Sequence, residues 1–265
     1  MKKLLFIKKI KRHLHYRLRQ ISKYEPFLII SEDELINELA VFANINITDL
    51  EKLFQRYSDL SKYNNYQNKF GESKTLCFEE AFIIYCLLYK QNPDTIVEIG
   101  TQHGKSTRRI IDMKDSLGLS SEIVCYDILD EVKYFKSNEA RLIIKDITNS
   151  FQEEVLKKYK SGFIFLDARP YSLLYNIISS VVYNTKDWAL SIHDCGRNLC
   201  NPYMFIDKND SNAISSGSGV WERHVLGKIF NIDDVYSVKL NNAKLGIHKL
   251  KIFETRHGLG VITSF

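Results

Sequence analysis

The sequence predicts an α/β fold, a doubly wound, mostly parallel sheet preceded by a helical N-terminal extension. Three observations predict it. From Thr95 onward five short apolar segments alternate with stretches of helical period, the pattern of a parallel sheet with helices on both faces. Four of those segments run into an aspartate: Asp127, Asp146, Asp167 and Asp194. Before residue 92 the apolar residues recur only at helical spacing.

The elements follow in chain order. Residues 3–21 set Leu4, Ile7, Leu14, Leu18 and Ile21 at helical spacing with basic residues between them. Residues 32–61 read as two helices. Ser31 suits the N-cap of the first, with Glu32, Asp33 and Glu34 in its first turn, and Thr48-Asp49-Leu50-Glu51 repeats a capping-box pattern. Residues 62–75 are polar with a turn near Gly71, and Phe78–Lys90 is a buried helix stopped by Asn92-Pro93. Parallel strands are expected at Thr95–Ile99, Glu122–Tyr126, Ala140–Ile144, Gly162–Leu166 and Trp188–Ile192, with helices at Thr107–Leu117, Glu153–Lys160 and Tyr171–Tyr183. Val235–Leu240 and Gly260–Phe265 add two strands without a full helix between them. That gives a seven-stranded sheet with an antiparallel edge strand. The division falls near residue 92: residues 1–92 are the extension and 93–265 the sheet domain.

A chain of 265 residues, 45% hydrophobic and 26% charged, can bury one large core. Its net charge of +5 is unevenly placed. Residues 1–23 hold nine of the 37 basic residues (Lys2, Lys3, Lys8, Lys9, Lys11, Arg12, Arg17, Arg19, Lys23) and no acid, which leaves 28 against 32 acids in the rest. An acidic body argues against a nucleic-acid partner, because polyanion binding needs a basic surface. The cysteines are odd in number and sparse, with no CxxC, which suits a reducing cytoplasm. Leu4–Ile7 is cut by Lys8-Lys9, unlike a signal peptide, and the later apolar run Ala81–Tyr89 is far too short to span a bilayer.

The chemistry is expected at the carboxyl ends of the strands, where doubly wound sheets collect their ligands. The first strand and its loop read Glu98-Ile99-Gly100-Thr101-Gln102-His103-Gly104. Glycines there let the backbone approach a ligand, and the free amides of the next helix can meet a polar group. The spacing is not the dinucleotide fingerprint G-x-G-x-x-G. The loop resembles motif I of class I S-adenosylmethionine-dependent methyltransferases, acid-x-Gly-x-x-x-Gly, matched by Glu98, Gly100 and Gly104. The resemblance covers residues 93–265 and implies a Rossmann-like catalytic domain. It also implies a cofactor site of Glu98, Gly100, Thr101 and Gly104, with Asp127 on the ribose and Asp146 near the adenine. On the residues alone, Asp127 is also readable as a turn residue and Asp146 as a helix cap.

Phe163-Ile164-Phe165-Leu166-Asp167 and Ser191-Ile192-His193-Asp194-Cys195 resemble the strand ends of small-molecule and sugar O-methyltransferases of the macrocin and rhamnosyl types. Catechol-type relatives hold Mg²⁺ with acids at these ends, so the resemblance offers Asp167 and Asp194 as metal ligands as well as catalytic residues. Two departures stand against this. No Lys occupies the catechol-type base position, and Cys195 stands at the third ligand position, where a thiolate is a poor partner for Mg²⁺. His193 is then the base, with an ordinary pKa suited to proton removal near neutrality. Ala213–Trp221, rich in Gly and Ser, has the composition of a mobile substrate lid.

The resulting expectation is an O-methyltransferase acting on a small hydroxylated acceptor. A sugar or glycolipid would place it in polysaccharide biosynthesis. The rival is a non-catalytic relative with a decayed acceptor site. Residues 1–23 are expected to dock on the inner face of a membrane or on a partner, including a second copy in a homo-oligomer.

Overall fold

The computed structural model describes residues 30–70, 76–197, 199 and 221–265. The helix expected at 3–21 and the lid residues 213–220 lie outside them. Four helices come first: α1 (Glu32–Ala43), α2 (Ile47–Asn64), α3 (Tyr66–Phe70) and α4 (Phe78–Gln91). Ser31 caps α1 as expected, its hydroxyl accepting from Glu34 N while the Glu34 carboxylate accepts from Ser31 N at 3.0 Å. The cap of α2 is Asn46, which accepts from Asp49 N at 2.8 Å, so the helix starts before the expected Thr48.

The sheet strands are β1 (Thr95–Ile99), β2 (Glu122–Asp127), β3 (Arg141–Ile144), β4 (Gly162–Leu166), β5 (Trp188–Ile192), β6 (Lys244–Leu245), β7 (His248–Phe253) and β8 (Leu259–Thr263). Helices α5 (Lys105–Leu117), α6 (Tyr171–Asn184) and α7 (Glu222–Ile229) cross between them, and a π-helical turn at Gln152–Leu156 precedes β4. The order β3-β2-β1-β4-β5-β8-β7-β6 is parallel through β5 and antiparallel beyond it. The Rossmann-like sheet thus has eight strands among the described residues, one more than expected.

The extra strand goes with one corrected assignment. Val235–Leu240 is a run of turns closed by Ser237 N→Asp234 O and Leu240 N→Ser237 O, not a strand. Its place is taken by β7, where Lys249 and Lys251 alternate with the buried Leu250 and Ile252. A strand next to the sheet edge with one half-wet face reads as polar, which hid it.

Alternate residues of the central strands feed two cores, one on each face. Ile96, Ile123, Cys125, Phe163 and Phe165 pack with α1, α2, α4 and α5. Val97, Ile99, Val124, Ile164, Leu166 and Leu190 pack with α6 and α7. Burial on both faces explains why these strands are almost wholly apolar. The helices before residue 92 therefore share a core with the sheet. The strand order reverses between β1 and β4, which opens a crevice at their carboxyl ends.

Candidate active site at the strand ends

The loop after β1 is shaped by close approaches. Gly100 has φ +91°, and a Cβ there would sit 2.0 Å from the Asp167 carbonyl oxygen. Only glycine lets the β1 loop cross the end of β4. Gly104, at φ +79°, leads into α5, and a Cβ on it would meet the Phe135 ring at 2.7 Å. Beneath the loop Glu98 is fully buried. Its carboxylate accepts from the Ser106 and Thr107 hydroxyls and is 3.7 Å from Cys125 Sγ. Burial pushes its pKa up to about 7, against those hydrogen bonds. Glu98 thus ties α5 to β1. Thr101 is buried beside it, with no hydrogen-bond partner for its hydroxyl.

Asp127 joins the end of β2 to this loop. Its Oδ2 accepts from Gln102 N and its Oδ1 from Ile128 N, each at 2.7 Å. Residues 131–135 lie over the loop, with Lys133 N donating to His103 O at 3.0 Å and His103 Nδ1 3.2 Å from Glu131 O. Asp146 is exposed and accepts from Thr148 N at 2.8 Å, the turn-forming arrangement that its sequence also allowed.

A second group of side chains gathers at the ends of β4 and β5. His193 is nearly buried. Its Nδ1 lies 3.4 Å from both Asp167 Oδ2 and Asp194 Oδ1. Its Nε2 lies 3.4 Å from Oε2 of Glu80 on α4. Burial would lower the His193 pKa, but Asp167 and Glu80 raise it well above the ordinary value. Burial alone would raise Glu80, yet the facing His193 ring and the hydrogen bonds from His257 hold it well below the usual carboxylate range. Arg169 Nη2 is 3.1 Å from Asp194 Oδ2. Arg223, buried on α7, donates to Cys195 O at 3.1 Å and anchors that helix beside the β5 end. The neighbouring Glu222 is buried, which pushes its pKa up to about 8.

No family model matches the sequence, and no curated protein matches it. Among solved structures the chain is similar to the O-methyltransferase from Bacillus cereus in complex with SAH, at 13% identity over 86% of this chain and 96% of that one, TM-score 0.46. It is also similar to TomG from Streptomyces achromogenes, an O-methyltransferase involved in tomaymycin synthesis, at 11% identity over 77% and 88%, TM-score 0.48. A third similarity is to apo CmcI, at 20% identity over 44% of this chain, TM-score 0.38; the match spans about half of the CmcI chain, 51%.

The structure brings Glu98, Gly100, Thr101, Gly104 and Asp127 together on one side of the crevice, and Asp167, His193 and Asp194 on the other. Asp146 stays in its own turn. Sequence reasoning missed Glu80, His257, Arg169 and Glu222. Glu80 did leave a signal, as an acid inside the largely apolar α4, where a buried charge requires a partner. A hollow of about 680 Å³ lined by Tyr183, Lys186, Leu245 and His248 lies at the opposite, amino end of β5, away from all of these groups.

Proposed function

We propose that the chain is an S-adenosylmethionine-dependent O-methyltransferase acting on a small hydroxylated acceptor such as a sugar or glycolipid. The observation that carries the reading is the joining of two groups across one crevice: the Gly100–Gly104 loop bound to Asp127, and His193 between Asp167 and Asp194. The cofactor fits the first group. Gly100 and Gly104 form a backbone cradle that a Cβ would fill, the buried Thr101 hydroxyl lacks a partner, and Asp127, which accepts from three backbone N–H groups, keeps acceptor capacity on Oδ2 for a ribose hydroxyl. Asp127, Thr101 and the loop backbone would hold it, with Asp146 toward the adenine.

When bound, S-adenosylmethionine supplies an electrophilic methyl on a sulfonium centre. The chain's residues do the rest. Neutral His193 takes the acceptor's hydroxyl proton through Nδ1, while Asp167 and Asp194 orient the hydroxyl. The buried floor formed by Glu80, His193 and Glu222 keeps water from the reacting oxygen.

Mg²⁺ fits the second group poorly, although its ligand atoms converge within 4.8 Å. Arg169 already covers one oxygen of Asp194, and an imbalance of donors remains: His193 supplies nitrogen, while Cys195 is buried and turned to Ile192 O at 3.4 Å. A hard cation wants oxygen ligands and several waters.

Calorimetry with S-adenosylhomocysteine, followed by a methyl-transfer screen over hydroxylated acceptors, tests the reading. Saturable binding is expected. Absence of binding by the full chain would defeat it, and binding without turnover on any acceptor would favour the non-catalytic rival.

Among the described residues no helix is long and apolar enough to cross a membrane. We further propose a cytoplasmic enzyme brought to an anionic lipid surface by residues 1–23, whose nine basic side chains suit it. Sedimentation with anionic liposomes at low salt should require those residues; equal sedimentation of full-length and 24–265 chains would refute this.

A further inference from the structure

This inference goes beyond the methyl-transfer reading and needs neither its cofactor nor its acceptor. It starts from Glu80, a fully buried acid on α4. Such a carboxylate is costly unless its lone pairs are met. Oε1 accepts from Thr255 Oγ1 at 2.9 Å and from His257 N at 3.0 Å, and Oε2 accepts from Cys77 N at 2.9 Å. The acceptor capacity left on Oε2 faces two imidazoles, with His193 Nε2 at 3.4 Å and His257 Nδ1 at 3.5 Å. The two rings meet edge to face at a centroid distance of 5.1 Å.

His193 is only 8% exposed, and neither of its ring nitrogens makes a hydrogen bond among the described residues. A buried ring with two unmet nitrogens calls for a further partner. The separations from Glu80 indicate its kind. They exceed the about 2.7–2.9 Å of a charge-assisted hydrogen bond. They match the edge of a tetrahedral metal site, where arms of about 2.0–2.1 Å set neighbouring ligand atoms about 3.4 Å apart. Octahedral Mg²⁺, with arms of similar length at right angles, would need about 2.9 Å.

His193 Nδ1 also faces acids at 3.4 Å, so distance alone does not choose between the two sides of the ring. The donors and the neighbouring charge do. On the Nδ1 side stand one nitrogen and two carboxylates. Asp167 there is exposed, and Asp194 is already paired with Arg169 at 3.1 Å, whose positive charge opposes a cation. On the Nε2 side two imidazoles and one carboxylate converge, their ligand atoms all within 4.8 Å of one another. The carboxylate is fixed by three hydrogen bonds. Two imidazoles and an acid are a donor set that zinc takes, and hydrogen bonds to the ligating acid are the outer support such sites use.

We propose that Glu80, His193 and His257 form a binding site for a divalent transition-metal ion, Zn²⁺ by its donors and tetrahedral spacing. Glu80 binds through Oε2, His193 through Nε2 and His257 through Nδ1, and a water completes the tetrahedron. The half-buried His257 leaves the approach from solvent. The ion ties α4 to the end of β5 and to the loop between β7 and β8. Ligation through Nε2 puts the hydrogen of neutral His193 on Nδ1, where Asp167 and Asp194 accept it. Where His193 serves as the base, a seated ion and proton removal by Nδ1 therefore exclude one another.

The test is calorimetry of the full chain, first stripped of metal, with Zn²⁺ as the titrant. Saturable binding of a single ion is expected. His257→Phe should weaken it by at least about 100-fold, beyond the usual loss from an outer-shell substitution. Asp167→Asn leaves Asp194 to accept the Nδ1 hydrogen and should weaken it by no more than about tenfold. X-ray absorption of the zinc-loaded unmutated chain needs no variant to fold. It should show nitrogen and oxygen neighbours alone at about 2.0–2.1 Å, two of them imidazole. No binding by the full chain, an unchanged affinity in His257→Phe, an equal or larger loss in Asp167→Asn, or a sulfur neighbour would each overturn the proposal. None of these measurements uses S-adenosylmethionine or an acceptor, so their outcome is separate from that of the O-methyltransferase reading.

Discussion

The two halves of the crevice are built in opposite ways. The half that would hold the cofactor comes from one stretch of chain, residues 98–135, and uses mostly backbone. Two positive-φ glycines, the amide of Gln102 and an aspartate that gathers amides give it its shape. The acceptor half draws single side chains from five places: Glu80, Asp167, His193, Glu222 and His257. It is held together by charge around the buried Glu80 and Glu222 and the nearly buried His193, with Asp167 exposed at its mouth. A local, backbone-built site rests on its glycines and on Asp127, and tolerates change at its other side chains. A dispersed, charge-built site depends on each member, because a buried charge that loses its partner is costly.

That contrast can be broken or sharpened by measurement. The largest effect is expected at His193. His193→Ala should lower kcat by about 10²- to 10⁴-fold while leaving S-adenosylhomocysteine affinity unchanged. A parallel loss of affinity would show that the halves are not separable. Since the base works deprotonated and its pKa is raised by Asp167 and Glu80, the unmutated rate should climb as pH rises through that raised value. A rate already level from pH 6 upward would remove His193 as the base.

The next effect is on stability. Glu222 is raised by burial from 4.5 to about 8. A carboxyl whose folded pKa exceeds its unfolded one stabilises the fold below the unfolded value, and that stability is lost as pH rises through the folded one. Glu222→Gln should therefore match the parent near pH 5 and exceed it near pH 9, by on the order of 4 kcal/mol in denaturant melts. Equal stabilities at pH 9 would contradict the burial argument.

In the other half, Asp127→Ala should weaken S-adenosylhomocysteine binding by about 10- to 100-fold, the range for losing hydrogen bonds to a charged group. An unchanged dissociation constant by calorimetry would take Asp127 out of the site. The smallest effect is the one expected of a chelator. Because Arg169 and His193 cover the acids that a cation would use, methyl transfer should survive EDTA with less than about a twofold change, a margin within ordinary assay context effects. Loss of activity restored by Mg²⁺ would reverse that assignment.

The sequence by itself determined what is local. The alternation of apolar strands and helices gave the parallel sheet, because strands buried on both faces must be apolar throughout. Ser31 capped α1, Asn92-Pro93 ended α4, and the Gly100–Gly104 loop stood where the strand had to turn into a helix. Asp127, Asp167, His193 and Asp194 were legible because each closes a strand, and strand ends fall on one side of a parallel sheet. Only the tertiary structure decided what depends on distant pairings. β7 was hidden by its lysines, since its place between β8 and β6 is fixed by its hydrogen-bonded neighbours and not by its own hydropathy. Glu80 and His193 are 113 positions apart in the chain. Their meeting follows from α4 packing across the sheet onto the end of β5, a contact that no local pattern encodes and that burial of charge makes decisive.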